Sequence, residues 1–211
     1  MAEAVSLEAL RAQIRAIEGS PRVHRTRVSV GVDAVDALVG GLPRPGLVEL
    51  CGAPGTGGAR LAAQIAAVQT RQRLSVAWVD PMQHLYPPAL ADLGVDLARL
   101  LVVRPPGDGT APEGWATEQL LRSGCFSLVV TDLPPLSRGR RRPGGHAWAR
   151  AAEQGQCTAL LLSERPERDV PAELRLQLGG EQVSVLRDRS GRSGRRQPLP
   201  TPPVAANPWG G

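Results

Sequence analysis

The chain is predicted to be an α/β protein, with a mostly parallel central sheet, helices on both faces and a C-terminal antiparallel hairpin. Three observations carry that prediction. Apolar strand-length runs alternate with helix-length segments from residue 47 to residue 162, the order expected of βαβ units. A glycine-rich loop, Gly52-Ala-Pro-Gly-Thr-Gly57-Gly, joins the first of these strands to a helix. After residue 173 the period switches to two, in Leu174-Arg-Leu-Gln-Leu178 and Gln182-Val-Ser-Val-Leu186, around Gly179-Gly180, as in a hairpin.

In chain order, residues 6–18 read as a helix. Leu7, Leu10, Ile14 and Ile17 form a narrow apolar seam, and Glu8, Arg11, Arg15 and Glu18 lie outside it. The seam packs either on the chain's own domain or on another protein. Gly19-Ser-Pro21 ends this segment, giving a separate N-terminal element over 1–20. A short strand near Val28–Val30 and a helix over Val32–Leu38 precede a turn-rich stretch, Gly40-Gly-Leu-Pro-Arg-Pro-Gly46. Strands follow at Leu47–Cys51, Leu74–Val79, Leu100–Val103, Ser127–Thr131 and Thr158–Leu162. Helices fall between them at about 59–73, 88–93, 112–123 and 145–154. Runs such as Leu128-Val-Val-Thr and Ala159-Leu-Leu-Leu162 suit strands buried on both faces. The core domain spans 21–189. Beyond it, 190–211 is rich in Arg, Gly, Ser and Pro without periodicity and is expected to be disordered, with Trp209 its only aromatic residue.

At 211 residues the chain is long enough for one substantial core. With one Phe, one Tyr and four Trp, that core must be built from Leu, Val and Ala. The net charge of +5 is carried entirely by Arg, since the chain has no Lys, and it favours acidic partners. It is concentrated in Arg138-Gly-Arg140-Arg141-Arg142 and in Arg187, Arg189, Arg192, Arg195 and Arg196. Cys51, Cys125 and Cys157, odd in number and in or beside apolar runs, are expected to be reduced core residues. No stretch approaches the ~20 apolar residues of a membrane span. The N-terminus is polar, and a cytoplasmic, nucleoid-associated location is expected.

The glycine-rich loop has the layout of a P-loop without its ionic residues. Gly52 and Gly57 fit the motif, but Gly58 stands in the lysine position and Ala59 in the Ser/Thr position. Gly55 and its neighbours still permit a nest of backbone N–H groups. Arg60 cannot substitute for lysine, because two positions along a helix turn the side chain by about 200°. Losing one charge-assisted contact costs about 1.5–3 kcal/mol, so tight MgATP binding is not expected, and weak nucleotide binding stays open. Asp132 closes its strand where a Walker B aspartate would sit, yet without the hydroxyl at position 59 it lacks its metal-binding companion. Gly52, Gly55, Gly57, Gly58, Ala59 and Asp132 therefore read as a vestigial nucleotide-binding loop. His24, His84 and His146 show no ligand spacing, and no zinc or nucleophile motif occurs. No metal or cofactor is expected.

Taken in order, several segments resemble RecA. Ser6-Leu-Glu-Ala-Leu-Arg-Ala-Gln-Ile-Arg-Ala-Ile is similar to its N-terminal helix, which lies on the neighbouring protomer. Val28-Ser-Val-Gly-Val-Asp with Gly40-Gly-Leu-Pro is similar to its lead-in to the P-loop. Leu93-Gly-Val-Asp-Leu-Ala-Arg-Leu-Leu-Val-Val-Arg-Pro and Leu121-Arg-Ser-Gly-Cys-Phe-Ser-Leu-Val-Val-Thr-Asp132 are similar to its third-strand and Walker B segments. The resemblance covers about residues 6–187 and implies a RecA-like P-loop core.

Against that family, Asp80-Pro-Met82 places Met82 where the catalytic glutamate is expected, and a thioether cannot polarise water. Ser163-Glu164 replaces the phosphate-sensing Asn-Gln pair, and a charged Glu164 repels phosphate. The long DNA-binding loop that follows shrinks to roughly Arg165–Ala172. The other DNA loop corresponds to Ser137–Gly145, so Arg138, Arg140, Arg141 and Arg142 are candidate phosphate contacts. Arg192, Arg195 and Arg196 add nonspecific attraction.

The short core, degraded P-loop and Pro/Arg-rich tail most resemble the ImuA type, RecA-like accessory proteins of bacterial damage-induced mutagenesis. That resemblance implies a non-enzymatic role in the SOS response, promoting error-prone translesion synthesis. The implied partners are RecA, an ImuB-like Y-family adaptor and a replicative-type error-prone polymerase, with Leu7, Leu10, Ile14, Ile17 and Trp209 as docking residues. The alternatives are a SulA-like cell-division inhibitor, a nonspecific single-stranded DNA-binding protein and a residual ATPase.

Overall fold

In the computed structural model, the residues described are 25–106, 112–136, 142 and 144–199. The N-terminal seam, Arg138, Arg140, Arg141 and Trp209 lie outside them.

The organising element is β3 (Gly46–Cys51), every residue of which is buried. It pairs in parallel with β7 (Thr158–Ser163) on one side and β8 (Leu174–Leu178) on the other. Beyond β7 come β6 (Leu128–Asp132), β4 (Val76–Val79) and β5 (Leu100–Val103), all parallel. Beyond β8, β9 (Gln182–Asp188) and β10 (Arg196–Pro198) are antiparallel. The eight-stranded order is thus β10-β9-β8-β3-β7-β6-β4-β5. A small antiparallel pair, β1 (Thr26–Val28) and β2 (Leu42–Arg44), stands before it. The fold class is as the sequence predicts. β2 falls in the stretch predicted to be turn-rich, since Leu-Pro-Arg carries no period of its own.

Alternating side chains send each strand to two cores. Val48, Leu50, Trp78, Val130 and Leu160 pack against α1 (Asp33–Val39), α2 (Gly58–Arg71) and α3 (Pro87–Asp92). Leu47, Val79, Val129 and Leu161 pack against α4 (Pro112–Arg122) and α5 (Gly145–Gln154). Helix α2 shows why it forms: Leu61, Ala62, Ile65, Ala66 and Gln69 share its buried face, the spacing of an amphipathic helix. Trp148 on α5 is almost completely buried, and its indole N–H donates to Gly114 O at 3.0 Å, so the aromatic also satisfies its polar edge.

Two expectations need correction. Residues 190–199 are ordered, because side-chain and backbone hydrogen bonds supply what periodicity does not. Asp188 N donates to Ser193 Oγ at 2.9 Å and Gly194 N to Val185 O at 2.8 Å. Arg192 Nη1 reaches Val39 O at 2.5 Å. Arg27 ties the same turn to β1 through Asp188 at 3.3 Å and Ser190 at 3.0 Å. Pro198 lies on the outermost strand, where a missing N–H is tolerated. The core therefore continues to Leu199. Cys125 is exposed, whereas Cys51 and Cys157 are buried. Cys125 lies in the turn after α4, one residue past Gly124, so the neighbouring apolar strand does not take it inside.

Candidate functional site: the P-loop cavity and its surroundings

The loop between β3 and α2 has the geometry its glycines require. A Cβ at Gly52 would sit 2.5 Å from Thr56 Oγ1 and 2.7 Å from Leu178 O, so only glycine fits there. Gly57 caps α2 in the left-handed region, with φ of 97°. Thr56 closes the turn on itself, its hydroxyl donating to Ala53 O at 2.7 Å. The first-turn N–H groups of α2 have no partners within the helix, which leaves a concave array of donors.

This loop lines a cavity of about 420 Å³ that brings together Gly52, Gly55, Gly58, Ala59, Met82 and Asp132. His84, Ser163 and Glu164 complete its far wall. The P-loop, β4-end, Walker B and sensor positions read from the sequence thus meet around one space. Arg60 is exposed and is not among the lining residues. Nothing in the packing forbids a lysine: a Cβ at Gly58 would meet only Leu178 Cδ1, at an ordinary 3.6 Å.

The cavity's electrostatics are acidic. Burial pushes the Asp132 carboxyl above its usual range and the nearby Asp80 charge adds to this, while His84 opposes it. Asp80 is 1 % exposed and is occupied structurally. It accepts from the N–H groups of His84 at 2.9 Å and Leu85 at 3.2 Å, and from Arg104 Nε at 3.2 Å. His84, which shows no ligand spacing in the sequence, is brought into the cavity by this Asp80-braced turn.

The basic candidates separate. Arg142 is turned inward, 5 % exposed. Its guanidinium donates to Pro134 O at 2.5 Å and to Glu167 at 3.3 Å, and it lies 3.7 Å from Glu113. That arrangement replaces the expected surface phosphate contact with an internal bracket between loops. Arg192 is half-buried and braces the turn after β9. Arg195 and Arg196 are exposed on and beside β10.

The sequence reading missed a second cavity, of about 730 Å³, lined by Arg142, Arg168, Arg187, His146, Asp169 and the first turn of α5. It also missed a buried ionic cluster. Glu49, fully buried in β3, accepts from Ser163 Oγ at 2.7 Å, from Glu167 N at 2.8 Å and from Arg175 Nε. The available signal was a lone charge inside each of two apolar strands, Leu47-Val-Glu-Leu and Leu174-Arg-Leu, since a buried ion demands a partner. Among the described residues no three or more His, Cys, Asp or Glu side chains cluster as metal ligands, and no helix is long and apolar enough to cross a membrane.

Comparison with known proteins agrees with this architecture. Protein RecA of Ectopseudomonas oleovorans is 38 % identical over 104 residues, covering 49 % of this chain and 29 % of that protein. Protein RecA of Prochlorococcus marinus is 38 % identical over 126 residues, covering 57 % of this chain and 32 % of its own length. The chain therefore spans about a third of the curated relatives it matches. The crystal structure of the RadB recombinase superposes with a TM-score of 0.62 at 19 % identity, over 80 % of this chain and 93 % of that one, a likeness of fold. The RecA N-terminal domain family matches residues 12–135, more than half of the chain. The chain belongs to the RecA N-terminal domain family.

Proposed function

We propose that this protein is a non-catalytic RecA-like accessory factor of the bacterial SOS response, of the ImuA type, which promotes error-prone translesion synthesis by contacting partners. The carrying observation is the P-loop cavity. Its shape persists, but its cation positions are Gly58 and Ala59, and two carboxylates, Asp132 and Glu164, line it. A triphosphate entering it meets backbone donors and negative charge, with no lysine, no magnesium hydroxyl and no acid at Met82 to activate water. The partners in this reading are RecA, an ImuB-like adaptor and a replicative-type polymerase. The apolar seam of Leu7, Leu10, Ile14 and Ile17 makes the first contact and Trp209 anchors a second.

The test has three arms. Titration with MgATP is expected to give neither tight binding nor phosphate release; steady turnover abolished by Asp132→Asn would return the chain to the ATPases. Deleting residues 1–20 is expected to abolish RecA capture and damage-induced mutagenesis while the core stays folded. Capture that survives the deletion removes the docking proposal. Overexpression that filaments cells would favour a SulA-like division inhibitor instead.

The second cavity favours an added nonspecific contact with single-stranded DNA. Arg168, Arg187 and His146 line the cavity beside the first turn of α5, together with the Asp169 carboxylate; a helix N-terminus flanked by guanidinium groups is a setting that receives phosphate. Oligothymidylate binding with a steep salt dependence, weakened by Arg168→Ala with Arg187→Ala, is the expected result.

A further inference from the structure

Three polar groups of Glu167 are each held by a different part of the fold. Its N–H donates to Glu49 on β3 at 2.8 Å, its carbonyl accepts from Arg175 on β8 at 2.7 Å, and its carboxylate accepts from Arg142, ahead of α5, at 3.3 Å. The neighbours extend the connections. Glu49 also takes Arg175 Nε and the Ser163 hydroxyl. Arg142 also takes Pro134 O, just past β6, and approaches Glu113 at the start of α4. One residue of a short loop is thereby tied to β3, β6, β8, α4 and α5.

This cluster lies between the two cavities. Ser163 and Glu164 line the P-loop cavity, and Arg142, Arg168 and Asp169 line the basic one. In switching P-loop proteins a bound terminal phosphate orders nearby loops through bonds it makes to them. Here the Ser163 hydroxyl is already committed to Glu49 on the far face of the sheet, and Glu164 repels phosphate. Neither of the two loop residues that line the P-loop cavity is thus left to bind a phosphate.

We propose that the Arg175–Glu49–Glu167–Arg142 clasp is a built-in lock that fixes the β7–β8 loop and the entry to α5, the walls of the basic cavity, whatever occupies the P-loop cavity. Nucleotide sensing is thus replaced by a permanent internal ion network. Its members cannot loosen singly. The side chains of Glu49, Arg142 and Arg175 are 0 %, 4 % and 13 % exposed, so freeing one strands its partner uncompensated. The inference deepens the non-catalytic reading and rests on it only for the claim that the pocket has lost its sensing role.

Hydrogen exchange on the full chain tests it, following amides of Ser163–Val170 and of Gly145–Trp148 with and without MgATP. In the wild type MgATP is expected to change neither segment by more than about twofold, because a ligand without differential contacts shifts nothing. Glu167→Gln is expected to accelerate exchange in both segments by at least about tenfold, the size of one charge-assisted bond, with α2 unchanged as the measure of intact folding. Arg142→Lys, which keeps the charge but loses the fork, is expected to do the same and serves if Glu167→Gln unfolds.

Protection of either segment by MgATP in the wild type would overturn the lock. So would acceleration confined to Ser163–Val170, since a local brace would not reach α5. Phosphate release with exchange unmoved by nucleotide would remove the non-catalytic reading and leave the lock standing.

Discussion

The two sides of Ser163 and Glu164 handle charge in opposite ways. Toward the P-loop, two cation-related positions hold Gly58 and Ala59, and the Asp132 carboxylate lies in a cavity with its pKa raised by burial. Toward β8, Glu49 is completely buried yet surrounded by three donors, and Arg175 bridges it to the loop. Ser163 belongs to both: it lines a cavity that has no lysine and donates to a site completed around its anion. The contrast shows which electrostatics this fold requires. A ligand site can lose its cation because water covers the deficit, whereas an internal carboxylate cannot lose its own.

The sharpest way to break that comparison is Glu49→Ala. It leaves Arg175 buried without its carboxylate and removes the acceptor for Glu167 N and Ser163 Oγ, so a loss of about 3–5 kcal/mol is expected in denaturant unfolding. A loss under about 1 kcal/mol would place Glu49 with surface pairs. The converse manipulation is Gly58→Lys with Ala59→Thr. The space beside Leu178 accommodates the lysine, and one charge-assisted contact should tighten MgATP binding roughly tenfold or more. Hydrolysis should stay absent, because Met82 remains. Binding that does not improve would mean that Asp132 and Glu164, not the missing lysine, decide what the cavity accepts.

Much of this molecule was legible in the sequence because the relevant signals are local. The strands β3, β6 and β7 are apolar runs, the hairpin β8–β9 alternates, and Gly52 and Gly57 stand where the turn needs them. What was not legible depends on partners distant in sequence. Arg142 looked like one of a basic run, but Glu113 and Glu167 draw it inside. Residues 190–199 lack a period and are held by Arg27, Val39 and Val185. The second cavity joins Arg168, Arg187 and the first turn of α5, three segments that nothing in their spacing connects. Glu49 and Arg175 were each visible as a lone charge in an apolar strand, yet their pairing requires knowing that β3 and β8 are neighbours in the sheet.

The finest test of the contrast is Asp132→Asn, which removes the cavity's half-buried charge and creates no void. Because burial raises this carboxyl above its usual range in the folded protein, folding favours its protonated form. Below the ordinary carboxylate range both folded and unfolded chains carry the proton, and Asp132 costs nothing. As pH rises, the unfolded chain ionises first and stability drains away until the folded-state pKa is passed, after which the penalty is complete. Asp132→Asn should therefore raise the unfolding midpoint at neutral pH, with a gain that shrinks to nothing on acidification. Glu49→Gln should do the reverse at neutral pH, lowering the midpoint by removing a paired charge. If Asp132→Asn instead destabilises at pH 7, the carboxylate has a partner that holds it charged, and Asp132 is compensated as Glu49 is in the clasp beside it.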